Sequence, residues 1–221
     1  MSADSGLVLF DVDGTLTPVR SVWQYILEAQ GCWDDTGREN LDLFLDGTID
    51  YEEFCHRDAE LLAGVRYEDL VATAANIPLN PGVSELFNQL RRDGYKIALI
   101  STGLRVLTDL LELRLPIDAC VANDFEVVDG LCTGRAVIEI DDAEKGLHAR
   151  RLIELFNSSF TIAIGDGSGD IPMFLEADLS IAIGDAAANL IAVADLHHPT
   201  LDLTGITGLI DARRVDKQVD A

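Results

Sequence analysis

Apolar residues fall along this chain in two rhythms. Leu7-Val8-Leu9-Phe10 is an unbroken apolar run, stopped by the polar turn Asp11-Val12-Asp13-Gly14-Thr15. A run of that length, bounded by turn residues, predicts a strand buried on both faces in a parallel sheet. From Val19 the spacing turns helical: Val19, Val22, Trp23, Ile26 and Leu27 recur on one face. Gly31 and residues 34–37 break that pattern, and Leu41, Phe44 and Leu45 predict a second helix. Asp50 followed by Glu53 resembles a capping box that opens a third helix, with Tyr51, Phe54, Cys55, Leu61 and Leu62. A fourth helical stretch covers 67–75. Nothing between 17 and 78 has the pattern of a strand.

Ile77-Pro78-Leu79-Asn80-Pro81-Gly82 has the composition of a linker. Beyond it the two rhythms alternate. Helices are predicted over 83–92, 106–113, 145–156 and 171–177, and strands over 95–100, 119–122, 160–164 and 179–183. Asp129-Gly130 between apolar flanks is a hairpin signal. Strands alternating with helices predict an α/β fold, a doubly wound and mostly parallel sheet covered on both faces. The expected division is a core from 1–16 and 79–221, with an all-helical unit, 17–78, inserted after the first acidic turn. The charged tail after Ile210 is predicted to fray.

Composition narrows the partners. The 221 residues carry 39 acids against 16 Lys and Arg, a formal net charge of −23. Such a surface disfavours nucleic acid and anionic membranes. Adaptation to high salt and ordinary acidic solubility explain it equally well. With 48% hydrophobic residues a buried core is expected. Cys32, Cys55, Cys120 and Cys132 show no C-x-x-C spacing, which predicts free thiols rather than zinc or redox chemistry. The first six residues have no basic region followed by an apolar run. The expectation is no secretion signal, no membrane span and a cytoplasmic location. Monomer and homodimer remain equally open.

The candidate chemistry sits at strand ends. Side chains two apart on a strand point the same way, so Asp11 and Asp13 leave the first strand together. In open α/β sheets ligands bind beyond that carboxyl end. Two adjacent acids suggest one nucleophile and one proton donor with Mg²⁺ between them; solvation of an Asp-Gly turn is the plainer alternative. Neither this turn nor Gly165-Asp166-Gly167-Ser168-Gly169-Asp170 has the spacing of a calcium loop, and the second is not a dinucleotide fingerprint. Ser101-Thr102-Gly103 follows the second predicted strand, where a hydroxyl and free amides suit a phosphate oxygen. Lys145, one of three lysines, opens a helix, where a cation is disfavoured. Either a functional role or plain surface exposure accounts for it.

Taken in order, Asp-x-Asp-Gly-Thr, Ser-Thr-Gly, Lys and Gly-Asp-Gly-x-x-Asp resemble the four motifs of the haloacid dehalogenase (HAD) superfamily. The likeness is greatest to its phosphoserine-phosphatase-like branch, through the helical insertion, residues 119–134 and Gly-Asp-Gly-x-x-Asp-Ile-x-Met-Phe at 165–174. The resemblance implies a Rossmann-like HAD core with a helical cap and a phosphatase acting on a small phosphorylated metabolite. It implies Asp11 as nucleophile, carrying an aspartyl-phosphate, and Asp13 as acid and then base. Mg²⁺ would be held by Asp11, the Asp13 carbonyl and Asp166, with Asp170 near. Ser101, Thr102, Gly103 and Lys145 would hold the phosphoryl group. A phosphotransferase or phosphomutase would share the aspartyl-phosphate, and a non-catalytic binding protein on the same core is the alternative from another class.

Three positions depart from that branch. Arg20 stands where a Glu binds the substrate amine, Asp58 where an Arg binds the substrate carboxylate, and Gly169 where an Asn is usual. The expectation is therefore a substrate other than phosphoserine, with Arg20 and Asp58 either contacting it or pairing with each other.

Overall fold

The computed structural model describes residues 6–219, and side chains as far as Arg213. The chain opens with β1 (Gly6–Phe10). Its four apolar side chains are fully buried, as expected of a central parallel strand. Four helices follow: α1 (Val22–Ala29), α2 (Arg38–Leu45), α3 (Tyr51–Glu60) and α4 (Tyr67–Ala74). Ser21 caps α1 by accepting from Gln24 N at 3.2 Å, and Asp50 caps α3 by accepting from Glu53 N at 2.9 Å. The break read at residues 34–37 is a π-helical turn, Trp33–Gly37, that runs directly into α2.

The remainder alternates: α5 (Val83–Arg92), β2 (Lys96–Leu104), α6 (Arg105–Glu112), β3 (Ala119–Val128), β4 (Leu131–Val137), α7 (Lys145–Phe156), β5 (Phe160–Gly165), α8 (Ile171–Phe174), β6 (Leu179–Ile183), α9 (Ala188–Ile191), β7 (Leu196–His198) and α10 (Ile206–Val219). The sheet order is β4-β3-β2-β1-β5-β6-β7. Every pairing is parallel except the β3–β4 hairpin, which turns at Asp129-Gly130 as its sequence predicts. The polar stretch after β1 therefore leaves the sheet where the chain winds outward in both directions, the switch point at which such sheets bind ligands.

Alternation along β1 divides the interior. Val8 and Phe10 join a core that includes α1, α5 and the inner faces of the inserted helices, while Leu7 and Leu9 face α7, α8 and α9 on the other side. The inserted helices share the first core with the sheet. They are also tied to the hairpin, where Tyr67 N donates to Gly130 O at 2.9 Å and Gly64 N to Cys132 O at 2.8 Å.

One expectation needs correction. β2 continues through Ser101, Thr102 and Gly103 to Leu104, so this stretch is strand rather than a turn after one. The residues after Ile210 continue α10 to Val219. Ile206 and Ile210 lie one turn apart and fully buried at its start. All four cysteines are free. No helix among the described residues is long and apolar enough to cross a membrane.

Candidate active site

The ends of β1, β2 and β5 and the start of α7 surround one cleft of about 350 Å³. Asp11, Asp13, Thr102, Gly103, Lys145, Asp166 and Asp170 all line it, with Arg20 at its mouth. Ser101 lies buried just beneath, its Oγ accepting from Gly103 N at 2.9 Å.

Lys145 is fully enclosed. Its Nζ donates to Asp11 Oδ1 at 2.8 Å and to Asp170 Oδ1 at 2.7 Å. Burial opposes its charge, but Asp11 and Asp170 outweigh that and hold its pKa above the ordinary lysine value. The surface reading of Lys145 is thereby excluded. Asp170 also accepts from Asp166 N and Gly167 N, so the fourth motif folds around its own last residue. Thr15 Oγ1 donates to Asp166 Oδ1 at 3.1 Å, and Asn80 Nδ2 fixes the Thr15 carbonyl at 2.9 Å. Gly14 adopts φ +80°, and a Cβ there would fall 2.5 Å from Asp166 Oδ2, so both backbone and space require glycine.

Asp11, Asp166 and Asp170 bring carboxylate oxygens within 4.8 Å of one another. The Lys145 ammonium bonds two of them, Asp11 and Asp170, while Asp166 accepts from Thr15. Burial, and then the Asp170 charge, push Asp11 well above the usual carboxylate range and Asp166 up to about 6. Three crowded, buried oxygen donors short of positive charge fit a hard divalent cation such as Mg²⁺.

Asp13 is built differently. Its Oδ2 accepts from Val22 N at 2.7 Å, at the first turn of α1, whereas its Oδ1 is buried without a hydrogen-bond partner. Burial pushes its pKa up to about 6. Among the described residues no cationic side chain bonds it.

The structure separates Arg20 and Asp58, the two residues expected to bind substrate or each other. Arg20 Nη2 donates to the main-chain carbonyl of Asp185 at 3.2 Å, with the Asp185 carboxylate at 3.9 Å. Asp58 does not line the cleft. It is fully buried, its Oδ1 accepting from Asn40 Nδ2 at 2.8 Å and its Oδ2 lacking a partner. The Arg20–Asp58 pair is not formed. Tyr51 and Asp58 share a face of α3, but seven residues set them about 10 Å apart along the axis.

Several cleft residues escaped the sequence reading. Trp23, Tyr51 and Phe54 line the wall, where helical periodicity marks them as core. Asp142 also lines it, just before Lys145; a Cβ on Gly169 would lie 2.5 Å from the Asp142 carboxylate. The departure at Gly169 is therefore matched by an acid occupying the same space.

The family model described as haloacid dehalogenase-like hydrolase matches residues 8–175. A phosphoserine phosphatase of Idiomarina loihiensis is 32% identical over 95% of this chain and 96% of its own length. One of Streptomyces coelicolor is 36% identical over 80% of this chain, a match spanning 43% of that longer protein. A solved phospho-aspartyl intermediate analogue of phosphoserine phosphatase is similar with a TM-score of 0.81 at 26% identity, over 93% of this chain and 99% of the other. The chain belongs to the haloacid dehalogenase-like hydrolase family and is a phosphatase of its phosphoserine-phosphatase-like branch.

Proposed function

We propose that this enzyme hydrolyses a small phosphomonoester through an aspartyl-phosphate on Asp11, with Mg²⁺ held by Asp11, Asp166, Asp170 and the main-chain carbonyl of Asp13. One observation carries the reading. Asp11 and Asp13, two residues apart in one cleft, have opposite surroundings. Asp11 is gripped by Lys145, whereas Asp13 has a bare oxygen and no cation. Paired acids placed in unlike environments take different roles. Asp11, beside the cation, attacks phosphorus. The bond from phosphorus to the leaving oxygen breaks, and Asp13 gives that oxygen its proton. Asp13, now a carboxylate, takes a proton from water. The water oxygen displaces Asp11, releasing inorganic phosphate. Ser101 Oγ, Gly103 N–H and Lys145 hold the phosphoryl oxygens, and Mg²⁺ when bound supplies further charge against them. Residues 17–78 act as a cap that closes the cleft and chooses the leaving group.

Substrate choice has two readings. The names of the relatives favour phosphoserine. Arg20 at the cleft mouth favours a leaving group that is anionic or rich in hydroxyls, since a guanidinium repels an ammonium. We favour the second. Phosphoserine and 3-phosphoglycerate differ only in an ammonium replaced by a hydroxyl. Phosphate release with Mg²⁺ should be faster from 3-phosphoglycerate; faster release from phosphoserine would decide for the first reading. Accumulation of inorganic phosphate also separates hydrolysis from phosphoryl transfer to a second metabolite.

A further inference from the structure

Besides the Val22 N–H that bonds Asp13, the helical segment meets the cleft at the Thr102 carbonyl. Thr102 O accepts from three side chains: Tyr51 Oη at 3.0 Å, Asn123 Nδ2 at 3.2 Å and Trp23 Nε1 at 3.3 Å. Tyr51 opens α3 and Trp23 lies in α1; Asn123 belongs to β3. Asn123 is fully buried and fixed by the core. Its Oδ1 accepts from Glu139 N at 2.8 Å and Ile140 N at 3.0 Å, and its amide reaches Ile140 O and Tyr51 Oη, both at 3.0 Å. The Tyr51 hydroxyl accepts from Asn123, which leaves its own proton for Thr102 O. Burial raises the phenol pKa and keeps it a neutral donor.

The Thr102 carbonyl and the Gly103 N–H are two edges of one trans peptide and point in opposite directions. The N–H edge faces Ser101 Oγ at 2.9 Å. A Cβ on Gly103 would stand 3.0 Å from Asp13 Oδ2 and from Ser101 Oγ, which places this peptide against the reacting groups. Donors gathered on the carbonyl fix the peptide plane and polarise the amide, strengthening its N–H.

We propose that Tyr51, seconded by Trp23, is a positioning clamp. Its hydroxyl fixes the Thr102–Gly103 peptide so that the Gly103 N–H and Ser101 meet the phosphoryl group, and this makes phosphoryl binding depend on how the inserted helices are seated. The clamp rests on residues 101–103 holding the phosphoryl group. It is distinct from a leaving-group contact by the cleft wall, because the peptide it holds serves every substrate.

Tyr51→Phe removes the hydroxyl and keeps the ring that packs on Phe44 and Phe54. The full-length enzyme with Mg²⁺ is compared with Tyr51→Phe, Trp23→Phe and Ser101→Ala. The readouts are turnover of p-nitrophenyl phosphate and 3-phosphoglycerate, inhibition by orthovanadate as a phosphoryl mimic, and melting temperature. Expected for Tyr51→Phe is a drop in kcat of about tenfold on both substrates and about tenfold weaker inhibition, the scale of one hydrogen bond. Its melting temperature should stay within about 4 °C of the parent. Trp23→Phe should move the same readouts less, through the longer bond. Unchanged kcat and inhibition in Tyr51→Phe, while Ser101→Ala weakens both, would overturn the clamp and leave the role of residues 101–103 standing. A loss confined to one leaving group, or to melting temperature, would overturn it too. If Ser101→Ala also leaves vanadate inhibition unchanged, residues 101–103 do not hold the phosphoryl group and the clamp falls with that reading.

Discussion

Lys145 Nζ stands 2.8 Å from Asp11 Oδ1, both groups buried, at the first residue of a helix whose dipole disfavours a cation. Only the acids gathered there hold the ammonium in place, and it in turn offsets their charge. Lys145→Met should leave Asp11, Asp166 and Asp170 crowded without the buried ammonium that Asp11 and Asp170 share. The expected loss is about 3 kcal/mol of stability in metal-free buffer, as when one member of a buried ion pair is removed. Denaturant titrations with EDTA and with excess Mg²⁺ check this. Mg²⁺ should recover more stability in the variant than in the parent, and an equal response in both would argue against a shared cation site.

Asp58 gives a pH signature independent of the cleft. Burial pushes its carboxyl up to about 6, and the hydrogen bond from Asn40 only partly offsets this. The folded protein therefore holds the proton more tightly than the unfolded chain, whose Asp titrates near 3.9. The associated stability is fully present below about pH 4 and is lost as pH rises through about 6. Asp58→Asn does not titrate. Measured against the parent, it should gain about 2 kcal/mol between pH 4 and pH 7. A constant difference across that range would mean that Asp58 is ionised in the fold throughout.

Arg20 bonds the Asp185 loop across the mouth of the cleft instead of pairing with Asp58. Two-thirds of its side chain is exposed, so the guanidinium is available to an incoming anion. Arg20→Ala should raise KM for 3-phosphoglycerate about tenfold, the worth of one charge-assisted contact, with little change for p-nitrophenyl phosphate. Equal effects on the two substrates would show that Arg20 serves only to hold the Asp185 loop.

With a formal net charge of −23, repulsion among carboxylates is a general term in stability. If the acidity is a salt adaptation, the melting temperature should climb steadily from low salt to 1 M KCl, where the screening length falls to about 3 Å. A flat profile would leave the acidic surface as ordinary solubility.

The sequence made the acids of the cleft legible because they lie where strands stop. Apolar runs ending in polar turns put Asp11, Asp13, Asp166 and Asp170 at one edge, and the helix over 145–156 matches α7 (Lys145–Phe156). What escaped it depends on which way a helix faces. Apolar periodicity marks Tyr51, Phe54 and Cys55 of α3 as inward, and Asp58 lies on the same face. Only the packing of α3 shows that Tyr51 and Phe54 line the cleft while Asp58 meets Asn40. Counting from the glycine turn at Gly47 gave Asp58 a place on the helix but not its distance from the cleft. Short elements such as β7 (Leu196–His198) and α9 (Ala188–Ile191) escaped because three or four residues carry no readable period.

The central claim is that Asp11 carries the phosphoryl group. The enzyme turning over p-nitrophenyl phosphate with Mg²⁺ can be quenched in acid, treated with borohydride, which reduces an acyl phosphate but not a free carboxylate, and mapped by peptide mass. Expected is reduction of residue 11 to homoserine, dependent on substrate and enriched in Asp13→Asn, where the base for hydrolysis is gone. Asp11→Asn should give neither label nor turnover. Reduction at another residue, or full turnover by Asp11→Asn, would contradict the claim.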